Sequence, residues 1–221
     1  MRALVVKPHR LSNPGTIGGH ARELGIELVE HVPSDDPAIP ALDGFDILMC
    51  FGAPWSVYGE EVRPWIGTLL ERFVEAADRE VPTLGVCFGA QAHAEALGGK
   101  VRKAEQWELG WGTVDVVGDG PVSEGPWMMW HSDTFSLPSG VELLATTRSG
   151  PQAFTHGNGL FVQFHPEVEP DLFWHWCEID DSDFTRFGVD KHVVYNEIVA
   201  RAVEARERSR RLLDWVVERA R

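Results

Sequence analysis

Short unbroken apolar runs alternate with longer segments whose apolar residues recur at helical spacing. Residues 2–6 (Arg2-Ala3-Leu4-Val5-Val6), 26–29, 46–51 and 83–86 are apolar and four to six residues long, as fits strands buried on both faces. Between them, residues 17–24, 60–78 and 90–97 carry the helical pattern, with Pro64 in the early turns of the second, where proline is tolerated. Strands alternating with helices predict a mostly parallel sheet flanked by helices. The pattern then changes. Segments 112–117, 127–130, 143–147, 152–155 and 160–164 read as short strands between turn residues, and predict antiparallel pairing attached to the parallel core. Residues 192–219 predict one long helix, with Val194, Ile198, Ala202, Ala205, Leu212 and Val216 on one face. No repeat or break in composition divides the chain, so 221 residues read as one domain, 1–221, with the last helix packed on it.

Composition narrows the function. A net charge of −14 argues against binding a phosphate backbone, which requires basic clusters. No apolar run approaches the roughly 20 residues of a membrane span, and the first residues read as a strand rather than a signal segment; the expected location is the cytoplasm. Three cysteines do not make a disulfide framework. Cys50 falls in a buried-strand pattern and Cys177 in the aromatic cluster 173–177. The His175/Cys177 pair there lacks a second pair at zinc spacing, so aromatic packing explains it better than a metal. The glycine-rich stretch 15–20 matches no phosphate-binding pattern and reads as a loop entering a helix.

Cys87 has a different setting. It lies in Gly85-Val86-Cys87-Phe88-Gly89, between a strand and a helix, with small residues on either side. Such a turn exposes the side chain at its tip, as in a nucleophile elbow, and the helix N-terminus favours thiolate. Far downstream, a strand ends in His165-Pro166-Glu167. In extended backbone the i and i+2 side chains share a face, so Glu167 is placed to orient His165 as a base. His131 fits either a cleft wall or a satisfied core histidine.

These segments, Gly85–Gln91 and Val162–Val168, resemble the class I (triad) glutamine amidotransferases. Further segments match in order: Phe51–Tyr58 is similar to the family's G-G-P-x-S-V loop, 97–101 and 108–111 to the stretch after the nucleophile helix, and Trp130–Asp133 to its S/H-x-D strand. The resemblance covers about residues 1–170, is nearest to the glutaminase half of GMP synthetases, and includes no synthetase half. It implies a flavodoxin-like α/β fold and a thiolate mechanism needing no metal or organic cofactor: Cys87 attacks the glutamine amide, His165 shuttles the proton and Glu167 orients His165. It also implies an oxyanion hole from Phe88 and from Gly52 and Ala53 (alanine stands where the family usually has a second glycine), and glutamine binding by Gln91, Ser132 and Asp133. Glutamine is the implied substrate, and a synthetase or acceptor subunit the implied partner. Two other readings stay open: a stand-alone γ-glutamyl peptide or amide hydrolase, and a non-enzymatic regulator or redox sensor. Retention of His165 and Glu167 argues against the last, since a sensor needs only a thiol.

Overall fold

The computed structural model describes residues 1–221. Its strands are β1 (Arg2–Val6), β2 (Glu27–His31), β3 (Ile47–Cys50), β4 (Thr83–Val86), β5 (Val101–Gly112), β6 (Asp115–Val116), β7 (Trp127–Phe135), β8 (Glu142–Thr147), β9 (Gly150–His156) and β10 (Gly159–Val162). Its helices are α1 (Gly15–Glu23), α2 (Ile66–Asp78), α3 (Phe88–Ala96), α4 (Pro170–Ile179), α5 (Ser182–Phe187) and α6 (Lys191–Glu218). Eight strands form one sheet in the order β2-β1-β3-β4-β10-β9-β8-β6, while β5 and β7 form a separate antiparallel ribbon. Strands β2, β1, β3, β4 and β10 are parallel to one another; β9, β8 and β6 extend the sheet antiparallel.

The period-two geometry of a strand explains the two cores. Ala3, Val5, Ile47 and Met49 point to the face covered by α1 and α6, where they meet Ile17, Ala21, Leu212 and Val216. Leu4, Val6, Leu48 and Cys50 point to the opposite face, against Leu69 and Phe73 of α2 and Ala90 and Ala94 of α3. A third, aromatic-rich cluster holds Met128, Val168, Phe173 and Phe184 against Val194 and Ile198 at the start of α6. The apolar stripe of the long helix is therefore divided between two cores, with Ala202 and Ala205 only half-buried between them.

The pattern was misleading in two places, the helix over 60–78 and the strand opening at Gly112. The helix expected over 60–78 is two pieces, a 3₁₀ turn at Glu60–Val62 and α2 from Ile66, because Pro64 offers no N–H and Trp65 sits at φ −135°. The short strands of the second half add antiparallel pairs to the parallel core, as the pattern predicted, and a separate ribbon takes two strands. One of those, β5, spans Val101–Gly112 rather than opening at Gly112, and its polar residues on both faces hide the alternation of a half-buried strand. The aromatic stretch 173–177 belongs to a helix, α4, followed by the short α5. No helix is long and apolar enough to cross a membrane.

Candidate active site

Three neighbouring parallel strands, β3, β4 and β10, end on the same edge of the sheet, and the segments leaving them meet there. Such carboxyl ends are where open α/β sheets bind ligands. Cys87 leaves β4, tied to β10 by its N–H to the Val162 carbonyl at 2.7 Å. It adopts φ 51°, a left-handed conformation that non-glycine residues rarely take and that the surrounding packing enforces. The elbow is this tight because its flanks lack side chains. A Cβ on Gly85 would lie 2.6 Å from the Phe161 ring, and one on Gly89 2.3 Å from the Cys50 carbonyl oxygen. The helix α3 starts at the next residue, so its free N–H groups face the turn.

His165 and Glu167 follow β10. Glu167 Oε1 lies 2.9 Å from His165 Nδ1, and the second oxygen of this buried carboxylate has no partner. Nε2 of the ring faces the cleft, 3.3 Å from the Trp130 carbonyl. Burial lowers the pKa of His165, but Glu167 and then Cys87 outweigh it, so the imidazole is held well above its ordinary range. The Cys50 thiol is pushed far up by burial, and the Cys177 thiol to about 11. The strand end is itself pinned: Thr16 Oγ1 donates to the Pro166 carbonyl at 2.9 Å, the Thr16 N–H donates to the Glu167 carbonyl at 3.1 Å, and Ser209 of α6 donates to the Pro166 carbonyl as well.

Gly52 and Ala53 follow β3. A Cβ on Gly52 would lie 3.0 Å from His165 Cε1 and 3.7 Å from Cys87 Cβ, so this loop presses directly on the thiol and the imidazole. The N–H groups of Gly52 and Ala53 donate no hydrogen bond within the protein. Phe88, first in α3, lines the same cleft. Gln91, one turn further, donates to Gln163 Oε1 at 3.1 Å, and Gln163 Nε2 donates to Cys87 Sγ at 3.5 Å. Sequence reasoning missed Gln163, although it stands two residues before His165 on the same face of an extended segment.

The ribbon β5–β7 forms the outer wall. Asp133 accepts hydrogen bonds from Ser56 Oγ at 2.5 Å and Tyr58 Oη at 3.0 Å, so it holds the loop after β3 rather than facing the cleft unengaged. Ser132 Oγ accepts from Lys103 Nζ at 3.1 Å. His131 lines the cleft and is buried, with Nδ1 3.1 Å from the Asp133 carbonyl; its Nε2 lies 3.0 Å from Glu108 Oε2 without hydrogen-bond geometry, so the ring is only half satisfied. On the far side, Trp176 of α4 packs on the His165 ring at 4.8 Å, and Asp183 of α5 accepts the Trp130 indole N–H at 3.1 Å. Asp180 completes that wall, and the cleft measures about 160 Å³. Every residue expected at the site from the sequence lines this one cleft. Lys103, Trp176, Asp180 and Asp183 had no signal, since each reaches it only through the path of the chain.

The family model for class-I glutamine amidotransferases matches residues 17–174. One subunit of the glutamine-hydrolysing GMP synthase of Sulfolobus acidocaldarius is 35% identical over 159 residues, which cover 66% of this chain and 79% of that one. GMP synthase (glutamine-hydrolysing) of Pseudomonas putida is 35% identical over 171 residues, covering 69% of this chain but only 31% of that longer protein. A glutamine amidotransferase from Thermotoga maritima shares the fold with a TM-score of 0.90 over 99% of this chain and 98% of its own, at 24% identity. With the cysteine at its elbow beside a paired histidine and carboxylate, and a family match over most of its length, this chain belongs to the class-I glutamine amidotransferases.

Proposed function

We propose that this protein hydrolyses the side-chain amide of glutamine through Cys87, His165 and Glu167, releasing glutamate and ammonia. The observation that carries this is the meeting of an elbow thiol with a buried histidine whose Nδ1 is 2.9 Å from a carboxylate. Glu167 favours the imidazolium form of His165, so the ring takes the thiol proton as the sulfur attacks. Sγ attacks the amide carbon. The resulting oxyanion is met by the N–H of Phe88 and by those of Gly52 and Ala53. Nε2 then returns the proton to the departing nitrogen as the C–N bond breaks, leaving a γ-glutamyl thioester. Water, deprotonated by the now neutral ring, attacks the thioester carbon and frees glutamate, and the proton left on His165 returns to the sulfur. Gln163 donates to the sulfur and fixes the amide of Gln91. In this proposal ammonia passes to a separate synthetase chain, as suits a protein similar to one subunit of a GMP synthase. The test is ammonia release from glutamine by the purified chain and by Cys87→Ala. Loss of all release in the variant is expected; equal release by both would end the proposal.

A second reading, hydrolysis of γ-glutamyl peptides or amides by the same residues, is favoured by one observation. The wall beside His165, where a leaving group departs, includes Trp176, Ile179, Asp180 and Asp183, all beyond the family match that ends at residue 174.

A further inference from the structure

The carboxylates that line the cleft are not alike. Asp133 is paired with Lys103, whose Nζ lies 3.0 Å from its Oδ1, and Glu167 is paired with His165. Asp180 and Asp183 line the same cleft on the α4–α5 side, and neither is paired with a lysine, arginine or histidine; each accepts only neutral N–H groups. That wall therefore carries two negative charges that no cation of the protein offsets. A positive group arriving there is attracted and a negative one repelled.

The fold sets these groups in place. Asp183 lies in the first turn of α5, yet its carboxylate turns to β7, where Oδ2 accepts the Trp130 indole N–H at 3.1 Å and the other oxygen has no protein donor. Asp180 accepts the Ser182 N–H at 2.8 Å, and its bonds to Ser182 hold it below the ordinary carboxylate range. Trp130 and Trp176 stand beside them, half-buried, with ring centres 6.2 Å apart at 78°, and Ile179 adds an apolar side. Indole faces attract a cation. A separate observation has the same sign. Glu167, with 1% of its side chain exposed, lines the cleft and keeps Oε2 without a donor, beside the imidazole on which Trp176 packs. The wall is also anchored: the Arg186 guanidinium of α5 lies over the Trp107 ring of β5 at 4.1 Å, and the Phe187 ring is 4.8 Å from it.

Resting on the second reading above, hydrolysis of γ-glutamyl amides by Cys87, we infer that this wall receives the leaving amine and selects one that carries a second positive charge. The substrate class is then the γ-glutamyl amides of diamines. Sγ bonds to the amide carbon, the C–N bond breaks as the amine nitrogen takes the proton from His165 Nε2, and water then frees glutamate from the thioester. The distal ammonium of the leaving diamine meets Asp180, Asp183 and the two indoles. A γ-glutamyl peptide instead leaves with an amino acid whose carboxylate faces those same charges, so the wall selects against it.

The experiment varies only the charge of the leaving group. Glutamate release by the purified chain is measured on three γ-glutamyl amides of matched length, those of 1,3-diaminopropane (cationic), butylamine (neutral) and β-alanine (anionic). In kcat/KM the cationic amide is expected to lead the neutral one and to exceed the anionic one about tenfold or more. Asp183→Asn and Asp180→Asn each keep an oxygen for the N–H they accept. In each, the ratio of the cationic to the neutral amide is expected to fall about threefold. Equal rates on the three amides, or a ratio unchanged in both variants, would overturn the inference while leaving γ-glutamyl amide hydrolysis standing. Cleavage of none of the three, or equal cleavage by Cys87→Ala, would end that reading and the inference together.

Discussion

Glu167 stands two residues after His165, which we propose it orients, and extended backbone puts both side chains on one face. Glu167→Gln keeps the size and removes the charge that holds the His165 imidazolium. We expect kcat to fall about a thousandfold or more with KM within about threefold, by the logic of other triads. Steady-state kinetics on glutamine check this; near-normal turnover would take Glu167 out of the mechanism. The sign of the wider effect follows. The raised pKa of His165 means that its ion pair stabilises the fold fully below the unfolded value near 6.5, and this contribution is lost as pH rises through the folded value. His93 behaves in the opposite sense. It is buried between Phe73 and Phe161, stacked on the latter at 3.7 Å, and burial and then His156 lower its pKa to about 3. The unfolded chain binds a proton there below about pH 6.5 and the native one does not, so stability drops as pH falls towards 3. His93→Leu, which removes a ring whose Nδ1 has no partner and whose Nε2 meets only the half-buried His156 at 3.3 Å, is expected to relieve about 2–3 kcal/mol of that loss at pH 4.5 while changing little at pH 7. Urea unfolding at the two pH values measures it, and an unchanged pH dependence would refute it.

At the scale of elements, the site depends on how the strand end after β10 is held by α1 and α6. Gly15, the first residue of α1, has φ +44°, and a Cβ there would lie 2.0 Å from the Glu167 carbonyl oxygen and 3.0 Å from Leu172 Cδ2. Backbone cannot yield as a side chain can, so Gly15→Ala displaces the segment that carries His165 and Glu167. We expect a cost of about 2–4 kcal/mol together with a lower kcat. Gly19→Ala, in the same helix with nothing within 4 Å of its Cβ, is the control, expected to gain about 0.5–1 kcal/mol. Equal stability of the two variants would show that this close approach does not constrain the site. The glycine at the start of this stretch thus permits close packing against the segment that carries His165 and Glu167.

For the whole molecule, α6 buries residues in both the main core and the aromatic cluster under α4 and α5, and we expect residues 1–221 to unfold as one unit. It also backs the cleft wall that lies outside the family match. That wall decides between the two enzymatic readings. A chain serving a synthetase is expected to hydrolyse glutamine slowly when alone, and faster beside its partner, because uncoupled hydrolysis wastes glutamine. Kinetics on glutamine and on a set of γ-glutamyl peptides compare the two. Cleavage of a peptide at least tenfold faster than glutamine, with no partner added, would replace the amidotransferase reading by the hydrolase one.

The sequence by itself determined the family, the alternating layers and the residues whose chemistry is local. Cys87 was legible because an elbow is made by adjacent small residues, and Glu167 because i and i+2 share a face in extended backbone. Gln163 was legible on the same ground and went unread. The two pieces of the expected helix over 60–78, and the strand β5, were not, since their polar faces and Pro64 admit more than one local answer. Tertiary structure decided what the chain order separates. Only the order β3-β4-β10 sets Gly52, Cys87 and His165 side by side, and only the ribbon and the α4–α5 segment bring Lys103, Trp176 and Asp183 to the same cleft. The physical reason is that a strand or a helix is specified by neighbours in sequence, whereas a cleft is specified by which strand ends become neighbours in space.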